Sequence, residues 1–76
     1  MMKPYRNQSG DSGVVSFEIG PDFINLKFRN NDTVYHYDHT MPGQIHVERM
    51  KRLALAGAGL STYVSQHVRD SYASKE

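Results

Sequence analysis

One strand-pairing register puts almost every large apolar residue between Val14 and Asp38 on a single surface, and no other feature of the chain limits its fold as tightly. Val15, Phe17 and Ile19 alternate with Ser16 and Glu18. Ile24, Leu26 and Phe28 alternate with Asn25, Lys27 and Arg29. Successive strand side chains point to opposite faces, so this period marks two half-buried strands. Gly20-Pro21-Asp22-Phe23 separates them: proline presets the first central dihedral, and an Asp side chain can bond its own backbone. Proline at that position excludes the type I′ and II′ hairpin turns, which leaves room for a longer loop. Thr33 to Asp38 is β-branched and aromatic, a third strand, reached through Asn30-Asn31-Asp32, residues that tolerate positive φ. With turns at Pro21-Asp22 and Asn31-Asp32, Phe17 faces Leu26, Val15 faces Phe28, and Phe28 and Leu26 face Tyr35 and Tyr37. If all of Asn30-Asn31-Asp32 is loop, Lys27 opposes Tyr35 and both tyrosines turn to solvent. The first register keeps each face chemically uniform, so it is the expected one.

The pattern then changes to a helical one. Pro42 suits the first turn of a helix, where no amide hydrogen is needed. From Gly43 to Ala56, Val47, Met50, Leu53, Ala54 and Gly57 fall on one arc with His46 at its edge, while Glu48, Lys51 and Arg52 lie opposite, Arg49 near a border, and Leu55 on the polar side. Gly57-Ala58-Gly59 ends this helix, since glycine accepts the left-handed conformation of a C-terminal cap. Leu60 to Tyr72 reads as a second helix with Leu60, Tyr63, Val64, His67, Val68 and Ser71 on one face and Arg69 on the other, between Gln66 and Asp70. The expected organisation is a flexible lead over 1–13, beginning with a doubled Met1-Met2, one α+β domain over 14–72, and a frayed tail over 73–76. The fold class is a three-stranded antiparallel meander followed by two helices packed on one of its faces.

Seventy-six residues hold one core, and a domain of that size buries only about 60% of its unfolded surface. The chain has no cysteine, which removes disulfides, thiolate zinc sites and a cysteine nucleophile, and suits a reducing cytoplasm. A homodimer is then the obvious further source of buried area, so the chain is expected to be a monomer or a weak homodimer. Its longest apolar run, Leu53 to Leu60, is far short of the roughly 20 residues a membrane span needs. The formal net charge is +1, which argues against a strongly electrostatic nucleic-acid binder. The charge is uneven, with a mildly acidic sheet half and a mildly basic helical half.

Tyr35 and Tyr37 point the same way on a strand and would stack unpaired bases if exposed. The preferred register puts them on the core face instead, with only their hydroxyls able to reach a neighbour or ligand. It also places Lys27, Arg29 and His36 on the opposite, solvated face, a modestly cationic surface with no stacking aromatic. Arg69 has the functional reading of a phosphate or carboxylate contact. His36, Asp38, His39 and His46 are metal-ligand types, but no ligand spacing joins them, and no cofactor is expected. No nucleophile elbow or phosphate loop occurs, and no enzyme is expected.

The strand Val34-Tyr35-His36-Tyr37, Pro42 ahead of the first helix, the turn at Ala58-Gly59, and Tyr63 with Val68-Arg69 and Tyr72 together resemble the KTSC domain over residues 14–72. That module is named for its place at the C-terminus of some lysyl-tRNA synthetases and also occurs as a free-standing small bacterial protein. The resemblance implies no established activity, and RNA binding has been suggested for the family. This sequence departs from the pattern in a longer first helix, Arg49 to Gly57. The expected function is non-catalytic binding of RNA or another polyanion, weak in affinity. Arg49, Arg52 and Arg69 would meet phosphates, aided by Lys27 and Arg29, with Tyr35 and Tyr37 nearby. The alternative is a protein-interaction or accessory module using a sheet edge or the helix face around Leu55.

Overall fold

A computed structural model describes residues 2–6, 13–29 and 32–76. The strands are β1 (Lys3–Pro4), β2 (Val14–Ile19), β3 (Phe23–Phe28), β4 (Val34–Asp38) and β5 (Ser74–Lys75). They form one antiparallel sheet in the order β1-β2-β3-β4-β5. Between β4 and β5 the chain forms α1 (Gln44–Ala56), α2 (Leu60–Tyr63) and a π-helical turn, Val64–Val68.

The α+β class and the antiparallel sheet agree with the sequence, but the sheet has five strands and not three. Both additional strands come from segments read as a flexible lead and a frayed tail. Lys3 pairs with Phe17, the Tyr5 amide donates to Val15 at 2.9 Å, and the Tyr5 ring is only 6% exposed. At the other edge Lys75 pairs with Tyr35, and Val34 and Glu76 exchange amide-to-carbonyl bonds of 2.8 and 2.9 Å. Both segments lack a large apolar residue and are only two residues long as strands, so neither shows an alternating period. Met1 and residues 7–12 of the expected lead lie outside the described residues, as do Asn30 and Asn31 of the expected turn.

Phe17 faces Leu26 and Ile19 faces Ile24, as the alternation requires. Val14, not Val15, faces Phe28, because the pairing slips between Val14 and Ser16. The extra residue of a bulge reverses the inside–outside sense of what precedes it. Val14 is therefore 1% exposed and Val15 39%. The β3–β4 pairing is corrected by two residues: Leu26 faces Tyr35 and Ile24 faces Tyr37. A two-residue shift keeps each side chain on its face, so the tyrosines stay on the core side, and the connection from Phe28 to Val34 is longer than a tight hairpin.

The core gathers Tyr5, Val14, Phe17, Ile24, Leu26 and Tyr37 from the sheet side with Val47, Met50 and Ala54 of α1, then Leu60, Tyr63, Val64 and Val68. Gly57 caps α1 in the left-handed region (φ 75°), its amide bonded to Leu53 and Ala54. Pro42 is not in the first turn of α1; it lies two residues before Gln44 and bridges to Asp38. The Asp38 carboxylate accepts from the amides of Thr40 and Met41, both at 2.9 Å, and so forms the corner that turns β4 into α1. Those amides, Met41 first, hold its carboxyl below the usual range.

Candidate functional site

The second helical segment ends early, and its end builds the site. An α-helix through Tyr72 would carry Arg69 on its solvent side. Instead the Arg69 amide bonds to the Val64 carbonyl at 2.6 Å, a five-residue spacing that inserts an extra residue into the turn, as π-turns do, frequently at functional sites. Val68 stays in the core at 1% exposure, and Arg69 and Asp70 swing toward β4. The chain then runs through Tyr72 into β5.

The result is a cleft of about 390 Å³ lined by Phe28, Arg29, Tyr35, Tyr37, Val64, Ser65, Arg69, Asp70, Tyr72 and Lys75. Its aromatic side is an edge-to-face cluster. The Phe28 and Tyr35 ring centres are 5.3 Å apart, and those of Tyr35 and Tyr72 are 5.0 Å apart at 75°. Tyr37 meets Tyr72 at 6.3 Å and 90°. Pairs of this kind prefer such tilted contacts because the positive edge of one ring meets the negative face of another. The Lys75 ammonium lies 5.7 Å from the centre of the Tyr72 ring, a cation–π distance. Tyr37 is 1% exposed. Burial, with Tyr35, Tyr72 and Asp70 close by, pushes its hydroxyl up to about 12, so it is a neutral phenol at pH 7.

Four of the seven sequence-predicted residues meet in this cleft: Arg29, Tyr35, Tyr37 and Arg69. Tyr37 contributes as buried floor and not as an exposed ring. Arg29 is corrected from the Lys27 face: it lies one residue beyond the end of β3 and lines the cleft beside Phe28. Lys27 stays on the opposite face, its ammonium 3.9 Å from the Asp32 carboxylate. Arg49 and Arg52 are exposed on α1 and are not among the lining residues. Sequence reasoning missed Phe28, Tyr72 and Lys75 as site residues. Tyr72 carries a signal, an aromatic closing the helical pattern; Lys75, in a short polar tail, carries none.

Three other polar clusters are structural ties. On the outer sheet face the Asn25 amide donates to Glu18 at 3.1 Å, and its carbonyl oxygen accepts from the His36 ring at 2.6 Å. His36 also stands 3.4 Å from Asp38 and 5.2 Å, ring to ring, from Phe23. Below α1, Glu48 meets Lys51 at 2.7 Å and His39 at 2.8 Å, and Lys51 also reaches the Pro21 carbonyl at 3.1 Å. Lys51 first, then His39, holds the Glu48 carboxyl below its ordinary range. Between the helices, His46 shares a 2.6 Å hydrogen bond with the Tyr63 hydroxyl, and His67 stacks on Tyr63 at 4.5 Å. Among the described residues no three His, Asp or Glu converge to hold a metal ion, and no helix is long and apolar enough to cross a membrane.

Comparison with protein-family models, with curated proteins and with solved structures finds no match for this chain.

Proposed function

We propose that the chain is a small non-catalytic binding module, acting in the cytoplasm, that recognises RNA or another polyanion through the aromatic–cationic cleft. One observation carries this reading: Arg29, Arg69 and Lys75 stand around Tyr35, Tyr37 and Tyr72 in a single concavity. Half-buried aromatics beside cations are what single-stranded nucleic-acid sites use, the rings for bases and the cations for phosphates. The resemblance to the KTSC domain points the same way. Binding is weak, because three cations offset by Asp70 provide little long-range attraction. Arg49 and Arg52 on α1, and Lys27 across the sheet, add to the general field outside the cleft.

Salt dependence is the test. For a single strand the logarithm of affinity falls with the logarithm of salt at about 0.7 per neutralised phosphate, so engagement of three cations predicts a slope of about −2. A salt-independent association would instead favour a protein-interaction module. The feature behind that second reading is the exposure of Ile45 (77%), Leu55 (59%) and Met41 (45%) on and beside α1.

A further inference from the structure

We propose that α1 pairs antiparallel with α1 of a second copy of this chain, forming a weak two-fold dimer. This rests on the second reading above, the protein-interaction face, and names its partner; it neither needs nor excludes a polyanion in the cleft. The first observation is a seam. Ile45, Glu48, Arg52 and Leu55 follow one another at intervals of three, four and three residues, the spacing along which two helices meet. On the helical wheel this seam lies opposite Val47, Met50 and Ala54, which are buried in the core. Ile45 is 77% exposed and Leu55 59%, and Arg52 is exposed as well. Met41, exposed beside the helix start, extends the apolar end of the seam.

The second observation is that the seam complements itself, which selects the occupant. In an isologous pair, residue i meets residue j and j meets i. With the two helices antiparallel, Ile45 faces the second copy's Leu55, and Glu48 faces the second copy's Arg52. The two-fold axis repeats each contact, so two ion pairs lie between two apolar pairs. A parallel arrangement would set Glu48 against Glu48 and Arg52 against Arg52, and such like-charge contacts reject a wrong pairing. Glu48 already meets Lys51 and His39, but both bonds fall on Oε2, which leaves Oε1 for the guanidinium.

Size and flanking charge keep the dimer weak. α1 has 13 residues, about 20 Å of helix at 1.5 Å per residue. A contact between two such helices falls short of the roughly 1,600 Å² of a standard interface. Arg49, exposed on one flank, faces its own counterpart near the two-fold and opposes the pairing. Lys51, on the other flank, is held inward by Glu48 and the Pro21 carbonyl. Interfaces of standard size bind in the micromolar range or tighter, so this smaller one should dissociate with a constant above about 1 μM.

The test is sedimentation equilibrium of the full chain alone, at concentrations rising to about 1 mM. Wild type should pass reversibly from monomer to dimer. Leu55→Gln should weaken the pairing about tenfold or more, because each copy loses a buried apolar side chain. Arg52→Glu sets acid against acid and should fail to pair, as should Glu48→Arg, which sets base against base. An equal mixture of the Arg52→Glu and Glu48→Arg chains should dimerise, since opposite charges then meet at both positions. Arg49→Gln should tighten the wild-type dimer. Glu48→Arg also loses its ties to Lys51 and His39, so circular dichroism checks its fold, and Leu55→Gln tests the seam without it. A wild-type chain that stays monomeric to the highest concentration overturns the second copy as occupant, while a different protein on this face, and the polyanion reading, both stand. A dimer that Leu55→Gln and Arg52→Glu leave undiminished, or a mixture of folded charge variants that does not pair, overturns the antiparallel seam.

Discussion

Tyr5 is the residue on which the five-stranded architecture can be tested most sharply. Its ring is 6% exposed within the core, and its hydroxyl accepts the Leu60 amide at 3.2 Å. Leu60 is the first residue of α2, so that amide is one of the donors a helix start leaves without an internal partner. Tyr5→Phe keeps the ring and strands this buried donor, at a cost of about 1–3 kcal/mol. Tyr5→Ala also leaves a cavity between sheet and helix, at about 3–5 kcal/mol. At roughly 0.05–0.15 kcal/mol per residue a domain this small has about 4–11 kcal/mol in total. The alanine variant therefore falls close to the edge of folding. Urea unfolding followed by circular dichroism resolves both, since small domains lose about 1–3 kcal/mol per molar urea. The phenylalanine variant should unfold at lower urea than wild type, and the alanine variant lower still. If both variants lie within about 0.5 kcal/mol of wild type, as neutral surface changes do, the N-terminal strand does not seal the core and the argument fails.

Three further outcomes follow from the same structure. Gly57 has φ 75°, and a Cβ there would stand 2.7 Å from the Arg6 Cβ; Gly57→Ala should cost about 1–2 kcal/mol from the left-handed conformation alone. More should be lost while the Arg6 Cβ stands in the way and its side chain holds the Leu55 carbonyl at 2.9 Å, so an Arg6→Gly background, which removes that Cβ, should shrink the penalty in thermal melts. Asp38 and Glu48 have depressed pKa values, so each contributes stability that is present above its unfolded pKa and lost as pH falls through its folded one. Melting temperature should drop on the acid side of the normal carboxylate range, and Asp38→Ala should flatten that drop. Tyr37, raised to about 12 from about 10 in the unfolded chain, stabilises the fold fully below the unfolded value, and that stability declines as pH rises through the folded value. Tyrosinate absorbance should show a late phase from Tyr37, and Tyr37→Phe should abolish it.

What the sequence revealed and what it hid divide along a physical line. Alternation over Val14 to Asp38 and the arc Val47, Met50, Ala54 announced the core directly, because burial of a face imposes a period on the residues that form it. The glycine cap at Gly57 was legible for a similar reason: few other residues accept that backbone. The β3–β4 register came out two residues away because either pairing buries the same face, and only the connection around Asp32 distinguishes them. Lys3, Pro4, Ser74 and Lys75 were invisible as strands, since an edge strand of two residues without a large apolar side chain has no hydrophobic face. The cleft was half legible. Tyr35 and Arg69 stood out by chemistry, but the π-turn that brings Arg69 to the tyrosines, with Val64 and Val68 buried in the core, carries no local signal. Arg49 and Arg52 shared Arg69's chemistry and yet fell on another surface.

The most direct measurement of the central claim maps binding by amide chemical shift as single-stranded RNA is added at low salt. Perturbations should cluster at Arg29, Tyr35, Arg69, Tyr72 and Lys75 and fade as salt is raised. Perturbations confined to the exposed side of α1 around Ile45 and Leu55, or none near those five residues, would contradict it.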